Sequence, residues 1–291
     1  MIFGAIEAGG TKFVVAVGNE KGDIIKRAVY KTTEPSETMQ QVIRFFKQYQ
    51  NDLAAIGVGS FGPIDIRKES KTYGYITHTP KIAWRNYDIV GALKAEFSIP
   101  IGFTTDVNAA ALGEVTRGAA KGLSSCIYLT VGTGIGGGAI VHGEILEGFS
   151  HPEMGHIMVK RHKHDRFAGS CPSHDDCLEG LASGSAIEKR FGKPGAELAG
   201  NDEVWNLEAH YLAQALMDYS LILAPERIIL GGGVMKEGQL FPLVRKKLNK
   251  LMNHYVTLPD FEEYIVSPGL GDDAGITGGL VLGVQAYQKE K

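Results

Sequence analysis

The chain has 291 residues, of which 44% are hydrophobic and 22% charged, and a formal net charge of −3. That length allows one large domain or two lobes of ordinary size, and that charge gives no electrostatic ground for a nucleic-acid or anionic-membrane partner. No apolar run approaches the roughly 20 residues of a membrane helix; Met1-Ile2-Phe3-Gly4-Ala5-Ile6 has no basic leader and three cysteines argue against a disulfide framework, so a reduced, cytoplasmic setting is expected.

Residues 2–8 are apolar, Gly9-Gly10-Thr11-Lys12 is a turn, and residues 13–18 are apolar again, which predicts a hairpin. Residues 24–30 can add a third strand. Residues 37–49 carry Met39, Val42, Phe45, Phe46 and Tyr49 at a helical period. A short buried strand over 54–59 ends near the turn Gly62-Pro63. A helix over 90–97, a strand over 101–105 and a helix over 108–117 follow. The pattern then restarts with a strand over 125–131, the turn Gly132-Thr133-Gly134, a strand over 136–142 and a hairpin turn at Gly143-Glu144. Residues 203–223 read as a long helix and 227–230 as a strand. Gly231-Gly232-Gly233 turns into a helix, 241–251 is helical, and Asp273 is a good N-cap for a terminal helix reaching 288.

Each half thus opens with a strand, a Gly/Thr turn and a strand, a weak internal repeat. Alternating strands and helices predict an α/β fold with mixed sheets. The small residues from Gly118 to Gly122 mark a lobe boundary. The expected division is 1–118 with about 277–291 as one lobe and 119–276 as the other, which carries a loop over 156–177.

Three glycine clusters carry chemistry. In Gly9-Gly10-Thr11-Lys12, glycine lets backbone N–H groups approach phosphate oxygens, and Thr and Lys add a hydroxyl and a charge. Taken alone it reads equally well as a tight hairpin. Gly132-Thr133-Gly134 repeats that chemistry, and two such turns can grip a triphosphate. Gly231-Gly232-Gly233 offers exposed backbone for a flat nucleoside. Asp106 follows a strand end, where α/β sheets place ligands; alone it also reads as a helix N-cap. Cys171-Pro172-Ser173-His174-Asp175-Asp176-Cys177 has a compact metal-ligand spacing. Zinc needs a fourth ligand, which must be a histidine, and His156, His162 and His164 are near in sequence. Cys126, in an apolar strand, reads as a small buried hydrophobe.

Glu7-Ala8-Gly9-Gly10-Thr11-Lys12, Thr105-Asp106-Val107-Asn108-Ala109-Ala110, Val131-Gly132-Thr133-Gly134-Ile135-Gly136-Gly137-Gly138, Glu153-Met154-Gly155-His156 and Leu230-Gly231-Gly232-Gly233 carry a resemblance along essentially the whole chain. In order and spacing it resembles the ROK family of sugar kinases, within the actin/Hsp70/hexokinase ATPase superfamily, and looks most like its bacterial fructokinases. The resemblance implies two actin-like, ribonuclease H-like lobes flanking a cleft. It implies ATP and Mg²⁺ on the glycine turns and Asp106 as general base. Glu153, His156 and Glu179 would bind sugar hydroxyls, with Asn108, Gly62 and Pro63 beside them and Trp84 as a possible wall. Glu7 stands where the family more often has an Asp facing magnesium. His156 is selected as the fourth zinc ligand with Cys171, His174 and Cys177. The family's usual Cys-x-Cys-Gly-x-x-Gly-Cys is not kept, since Gly169 stands two residues before Cys171.

The implied reaction is ATP-dependent conversion of fructose to fructose 6-phosphate, in a homodimer. A glucokinase, mannokinase or broad hexokinase is the enzyme alternative. A sugar-responsive ROK regulator is disfavoured, because a strand from Ile2 leaves no room for a helix-turn-helix. The Glu153, His156 and Glu179 set argues against a chaperone-type ATPase.

Overall fold

In the computed structural model, which describes residues 1–290, β1 (Ile2–Ala8) and β2 (Lys12–Gly18) form the expected hairpin and β3 (Ile24–Lys31) extends it. Helix α1 (Pro35–Lys47) leads to β4 (Leu53–Ser60). A small hairpin of β5 (Tyr75–Ile76) and β6 (Tyr87–Asp88) and the short α2 (Ile89–Lys94) lead to β7 (Ile101–Thr105) and α3 (Asp106–Arg117). The first sheet has the order β3-β2-β1-β4-β7, antiparallel through the hairpins and parallel from β1 to β4 and β4 to β7. Successive strand side chains face opposite ways, so both faces must be covered. Ile6, Ala8, Phe13, Val15 and Val17 join the core that includes Met39, Val42 and Phe46 of α1. Phe3, Ala5, Val14 and Ala16 pack on Ile276 and Leu280.

The second sheet repeats this plan. β8 (Cys126–Val131) and β9 (Ile135–Val141) form a hairpin continued by β10 (Glu144–Ile145). After α4 (Leu178–Ala182), α5 (Gly184–Phe191) and the long α6 (Asp202–Leu223), β11 (Arg227–Gly231) lies parallel to β8. Helices α7 (Leu240–Met252) and α8 (Phe261–Tyr264) precede β12 (Ile265–Val266), parallel to β11. The order β10-β9-β8-β11-β12 matches the first sheet strand for strand, and each unit is ribonuclease H-like. Helix α9 (Ala274–Lys289) returns to the first sheet.

One compact unit comprises Met1–Gly122, Ile145–Pro152 and the chain's end from Asp272; the other comprises Leu123–Glu144 and Glu153–Gly271. In the first, α9 lies unusually close to β4 and α3. A Cβ on Gly278 would fall on the Ala109 carbonyl, and one on Gly57 on the Gly279 carbonyl, so glycine is what permits this approach. Trp84 belongs to this unit's core. It is 1% exposed, its Nε1 donates to the Thr33 carbonyl at 2.8 Å, and its ring meets Phe13, Phe61 and Tyr87. Among the described residues no helix is long and apolar enough to cross a membrane.

Two helix caps differ from the sequence reading. α3 starts at Asp106 rather than near Asn108, because Thr105 is the cap: its hydroxyl accepts the Asn108 N–H at 3.1 Å. Asp273 does occupy the N-cap position of α9 but caps nothing with its side chain. Its carboxylate is held instead by Arg27 at 2.7 Å.

Candidate functional site

In the first unit, the turn between β1 and β2 is closed by the Gly9 N–H donating to the Lys12 carbonyl at 3.0 Å. The Thr32 hydroxyl donates to the Gly9 carbonyl at 2.7 Å. A Cβ on Gly9 would sit 2.8 Å from the Lys12 carbonyl oxygen, whereas one on Gly10 would meet only Lys81, at 3.5 Å. Gly9 therefore shapes the turn and Gly10 leaves its surface open. Thr11 and Lys12 are exposed.

Glu7, one residue before Ala8 ends β1, points inward against the start of α9: a Cβ on Gly275 would lie 2.7 Å from its carboxyl carbon. Burial, and then the negative charge of Asp106, push its carboxyl up to about 7; Lys12 opposes this, and Asp272 and Asp273 add to it. Its Oε2 is buried without a partner. A buried carboxylate oxygen with no donor, among further carboxylates, is a place a hard divalent cation fits.

Asp106 opens α3, where the exposed N–H groups and dipole of a helix favour a carboxylate, and its Oδ1 accepts the Val107 N–H at 2.9 Å. Asn108 is turned into the interior with 0% exposure. Its Nδ2 donates to the Thr104 hydroxyl at 3.1 Å and its Oδ1 has no partner. Gly62 and Pro63 are joined by a cis peptide bond and are half-buried. The Pro63 carbonyl accepts both the N–H and the hydroxyl of Thr77. The next residue, Ile64, donates its N–H to His151 Nε2 at 3.1 Å. His151 was not singled out in the sequence. Its role as a brace for this loop depends on a partner 87 positions away, beyond any local signal.

In the second unit, Gly132 donates to the Gly134 carbonyl at 2.9 Å and accepts the Gly184 N–H at 2.7 Å. Neither Gly132 nor Gly233 would have a neighbour within 4 Å of an added Cβ. Both line a cavity of about 650 Å³ with Thr133, Ser185, Trp205 and Lys236. Gly232 is different. Its φ of +93° and its packing against the Val131 backbone admit no other residue without strain. Gly231 packs on Tyr128, so of the third cluster only Gly233 reaches the cavity. Gly184 and Ser185 open α5, capped by Ser183, whose hydroxyl accepts the Ala186 N–H. Ser183-Gly184-Ser185 ahead of Ala186 and Ile187 is an N-cap signal that could have located them.

Glu153 is exposed and begins the turn Met154–His156. The Tyr219 hydroxyl of α6 fixes that turn by donating to the Met154 carbonyl at 2.5 Å. Gly155 is needed because a Cβ there would fall on the Ile135 carbonyl. Glu179, in α4, accepts the Ile135 N–H through Oε2. His156, Cys171, His174 and Cys177 converge, with all four ligand atoms within 4.8 Å of one another. His156 Nδ1 lies 3.7 Å from Cys171 Sγ and 3.5 Å from Cys177 Sγ, and His174 Nδ1 lies 3.8 Å from Cys171 Sγ. Tetrahedral zinc with the usual bond lengths spaces its ligands by roughly 3.3–3.8 Å. Burial and the neighbouring Cys171 raise the Cys177 thiol, as for a pair that a cation would ionise. His162 and His164 lie outside this group.

A profile of the ROK family matches residues 3–286 of the chain. The chain is 48% identical to the fructokinase of Pediococcus pentosaceus over 288 residues, covering 99% of each. It is 47% identical to the fructokinase of Lactococcus lactis subsp. cremoris over 291 residues, again covering 99% of each. Among solved structures, a ROK hexokinase from Thermus thermophilus superposes with a TM-score of 0.83 at 26% identity, covering 99% of this chain and 100% of that one.

Proposed function

Because the chain belongs to the ROK family, we propose that it transfers the terminal phosphoryl group of ATP to a hexose, D-fructose, forming fructose 6-phosphate. The observation that carries this reading is near-half identity, end to end, with two fructokinases. The residues in each unit supply the chemistry that such a transfer needs: a positioned acceptor, a group to take its proton, and neutralised phosphates.

Asp106 is assigned as the base. The sugar hydroxyl gives its proton to this carboxylate as its oxygen attacks the terminal phosphorus and ADP leaves. The start of α3 aims Asp106, whose Oδ1 accepts the Val107 N–H. Buried Asn108 holds that helix start through Thr104, and Gly62-Pro63, braced by His151, is assigned to the sugar. Glu153 and Glu179 are assigned to sugar hydroxyls, since a carboxylate can accept from two neighbouring hydroxyls. The cavity lined by Gly132, Thr133 and Gly233 takes the nucleotide, its backbone N–H groups meeting phosphates. Gly9 to Lys12 supply a second phosphate turn.

Glu7, with Asp272 near it, would hold Mg²⁺, directly or through water. Bound there, the ion supplies charge neutralisation for ATP phosphates. His156, Cys171, His174 and Cys177 would hold a zinc ion. With four protein ligands its role is structural, fixing the segment that leads into Glu179. Free thiols at Cys171 and Cys177 suit a reducing compartment, the cytoplasm.

ADP release measured against a panel of hexoses tests the assignment. Fructose should give the highest kcat/KM; a higher value for glucose or mannose would replace it with a glucokinase or mannokinase.

A further inference from the structure

His162 and His164 stand outside the metal cluster, and the fold gives them another neighbour. The His162 ring lies 5.6 Å from that of His164 and 5.0 Å from that of His210 on α6. All three line a cavity of about 690 Å³ in the second unit, a volume in the range of small-ligand sites. It shares no lining residue with the cavity at Gly132 and Gly233.

The walls hold more basic than acidic groups. Arg166, Arg190 and Lys247 join the three imidazoles, and Phe167 and Phe191 add apolar surface. Two acids, Asp165 and Glu203, also line it, but Asp165 is already engaged. Its Oδ2 accepts the Tyr211 hydroxyl at 2.5 Å and Arg190 at 3.1 Å, and its Oδ1 accepts the Phe167 N–H. Arg190 is held in place, with 8% of its side chain exposed, Nη2 on the Leu181 carbonyl and its guanidinium over the Phe167 ring. Its Nε is buried without an acceptor. Glu208 beside it gives no compensating charge. It is 1% exposed, both its oxygens lack partners, and burial keeps it protonated far above the usual carboxylate range.

The titrations on the other walls have the same sense. Burial, His162 and Lys247 lower His210. Burial, Lys246 and Lys250 lower Lys247. Both shifts disfavour the charged form, so each group would gain from an anion beside it. A metal ion does not answer this. Among the described residues, the only set of three or more His, Cys, Asp or Glu ligand atoms that converges is the His156 cluster.

We propose that this cavity is a second ligand site, separate from the nucleotide cavity, that binds a small phosphoryl anion, free or as a monoester of hexose size. Phosphoryl oxygens would accept from Lys247, Arg166, His162 and His164, while His210, whose Nε2 already meets Gln214 Nε2 at 3.2 Å, stands behind His162, and a carbon skeleton would lie against Phe191. His162 and His164 sit in the segment between His156 and Cys171, so an occupant would also order the approach to the metal cluster.

The test follows histidine ring-proton resonances of the full-length protein while inorganic phosphate or, separately, a hexose 6-phosphate is added at constant ionic strength. His162, His164 and His210 should move together along one saturating curve. In the His164→Ala/Lys247→Ala double variant the affinity should fall about tenfold or more, the loss of two charged hydrogen bonds, while turnover of fructose and ATP stays at the wild-type level. Arg166→Gln, at an exposed position, is the second variant should the first fail to fold, with the same expected weakening. A tighter curve for the ester identifies a phosphate ester as the ligand, and equal curves identify free phosphate. Shifts matched by sodium chloride at the same ionic strength, or a curve unchanged in the folded variants, would overturn the proposal.

Discussion

Glu179 Oε2 accepts the backbone N–H of Ile135 at 2.8 Å. This single bond ties α4, which starts one residue after Cys177, to the strand leaving the Gly132-Thr133-Gly134 turn. Gly134 has to be glycine for it, since a Cβ there would lie 2.5 Å from the same oxygen. Glu179→Gln keeps an acceptor for Ile135 and should fold normally while sugar affinity drops. Glu179→Ala should lose sugar affinity and also about 1–3 kcal/mol of stability, because the Ile135 N–H is left unpaired. Equal melting temperatures for the two variants would count against the bond.

Removing the metal should act through the same segment. Chelation, or Cys171→Ser, should lower activity and sugar affinity while most of the α/β core stays folded, since neither sheet depends on the cluster. Metal analysis should give one zinc per chain, lost in His156→Ala and retained in His162→Ala and His164→Ala. Full zinc in His156→Ala would remove it from the ligand set.

Asp106→Asn preserves the shape at the start of α3 and removes the proton acceptor. The turnover number should fall by roughly 10²–10⁴ with KM for fructose and ATP little changed. A variant retaining more than half of wild-type turnover would exclude Asp106 as the base.

If Glu7 holds Mg²⁺ as proposed, its titration ties stability to both pH and the ion. Its folded-state pKa of about 7 lies above the ordinary value of 4.5, so the folded chain binds this proton more tightly than the unfolded chain does. Stability from this group is therefore greatest below pH 4.5 and is lost as pH rises towards 7, by about 3 kcal/mol in all. Mg²⁺ should restore stability at pH 8 and add little at pH 5. Glu7→Gln should flatten the pH dependence of melting and abolish the Mg²⁺ increment. An increment surviving in Glu7→Gln would place the ion elsewhere.

Gly132 and Gly232 should respond oppositely to the same change. Gly132→Val projects into the cavity from an open position, so the chain should fold and lose nucleotide affinity in calorimetry. Gly232→Val forces a β-branched residue into φ +93° against Val131 and should lower the melting temperature sharply. Unchanged nucleotide binding by Gly132→Val would remove this turn from the phosphate site.

The elements written in local periodicity were legible from the chain alone. The β1–β2 and β8–β9 hairpins come from apolar runs closed by glycine turns, β7 from a short apolar run and α6 from a long helical stretch, all signals read from neighbours along the chain. The glycine motifs and the Cys171 to Cys177 spacing likewise suggested phosphate and metal sites from residues close together in the chain. What the sequence left open were questions of long-range packing. Spacing alone offered three histidines for the fourth position beside the thiols; the family resemblance selected His156, and it is His156 that lies beside Cys171 and Cys177. The sequence suggested that Asn108 faces sugar; under the Thr105 cap the helix starts two residues earlier and Asn108 is buried with its Oδ1 unpartnered. It gave no hint that His151 braces Ile64, or that His162, His164 and His210 share a cavity. Periodicity and turn chemistry are fixed by neighbours along the chain, whereas a side chain's partners are fixed by which distant elements the core draws together. Residue types therefore determined the chemistry, and tertiary packing decided which residues perform it.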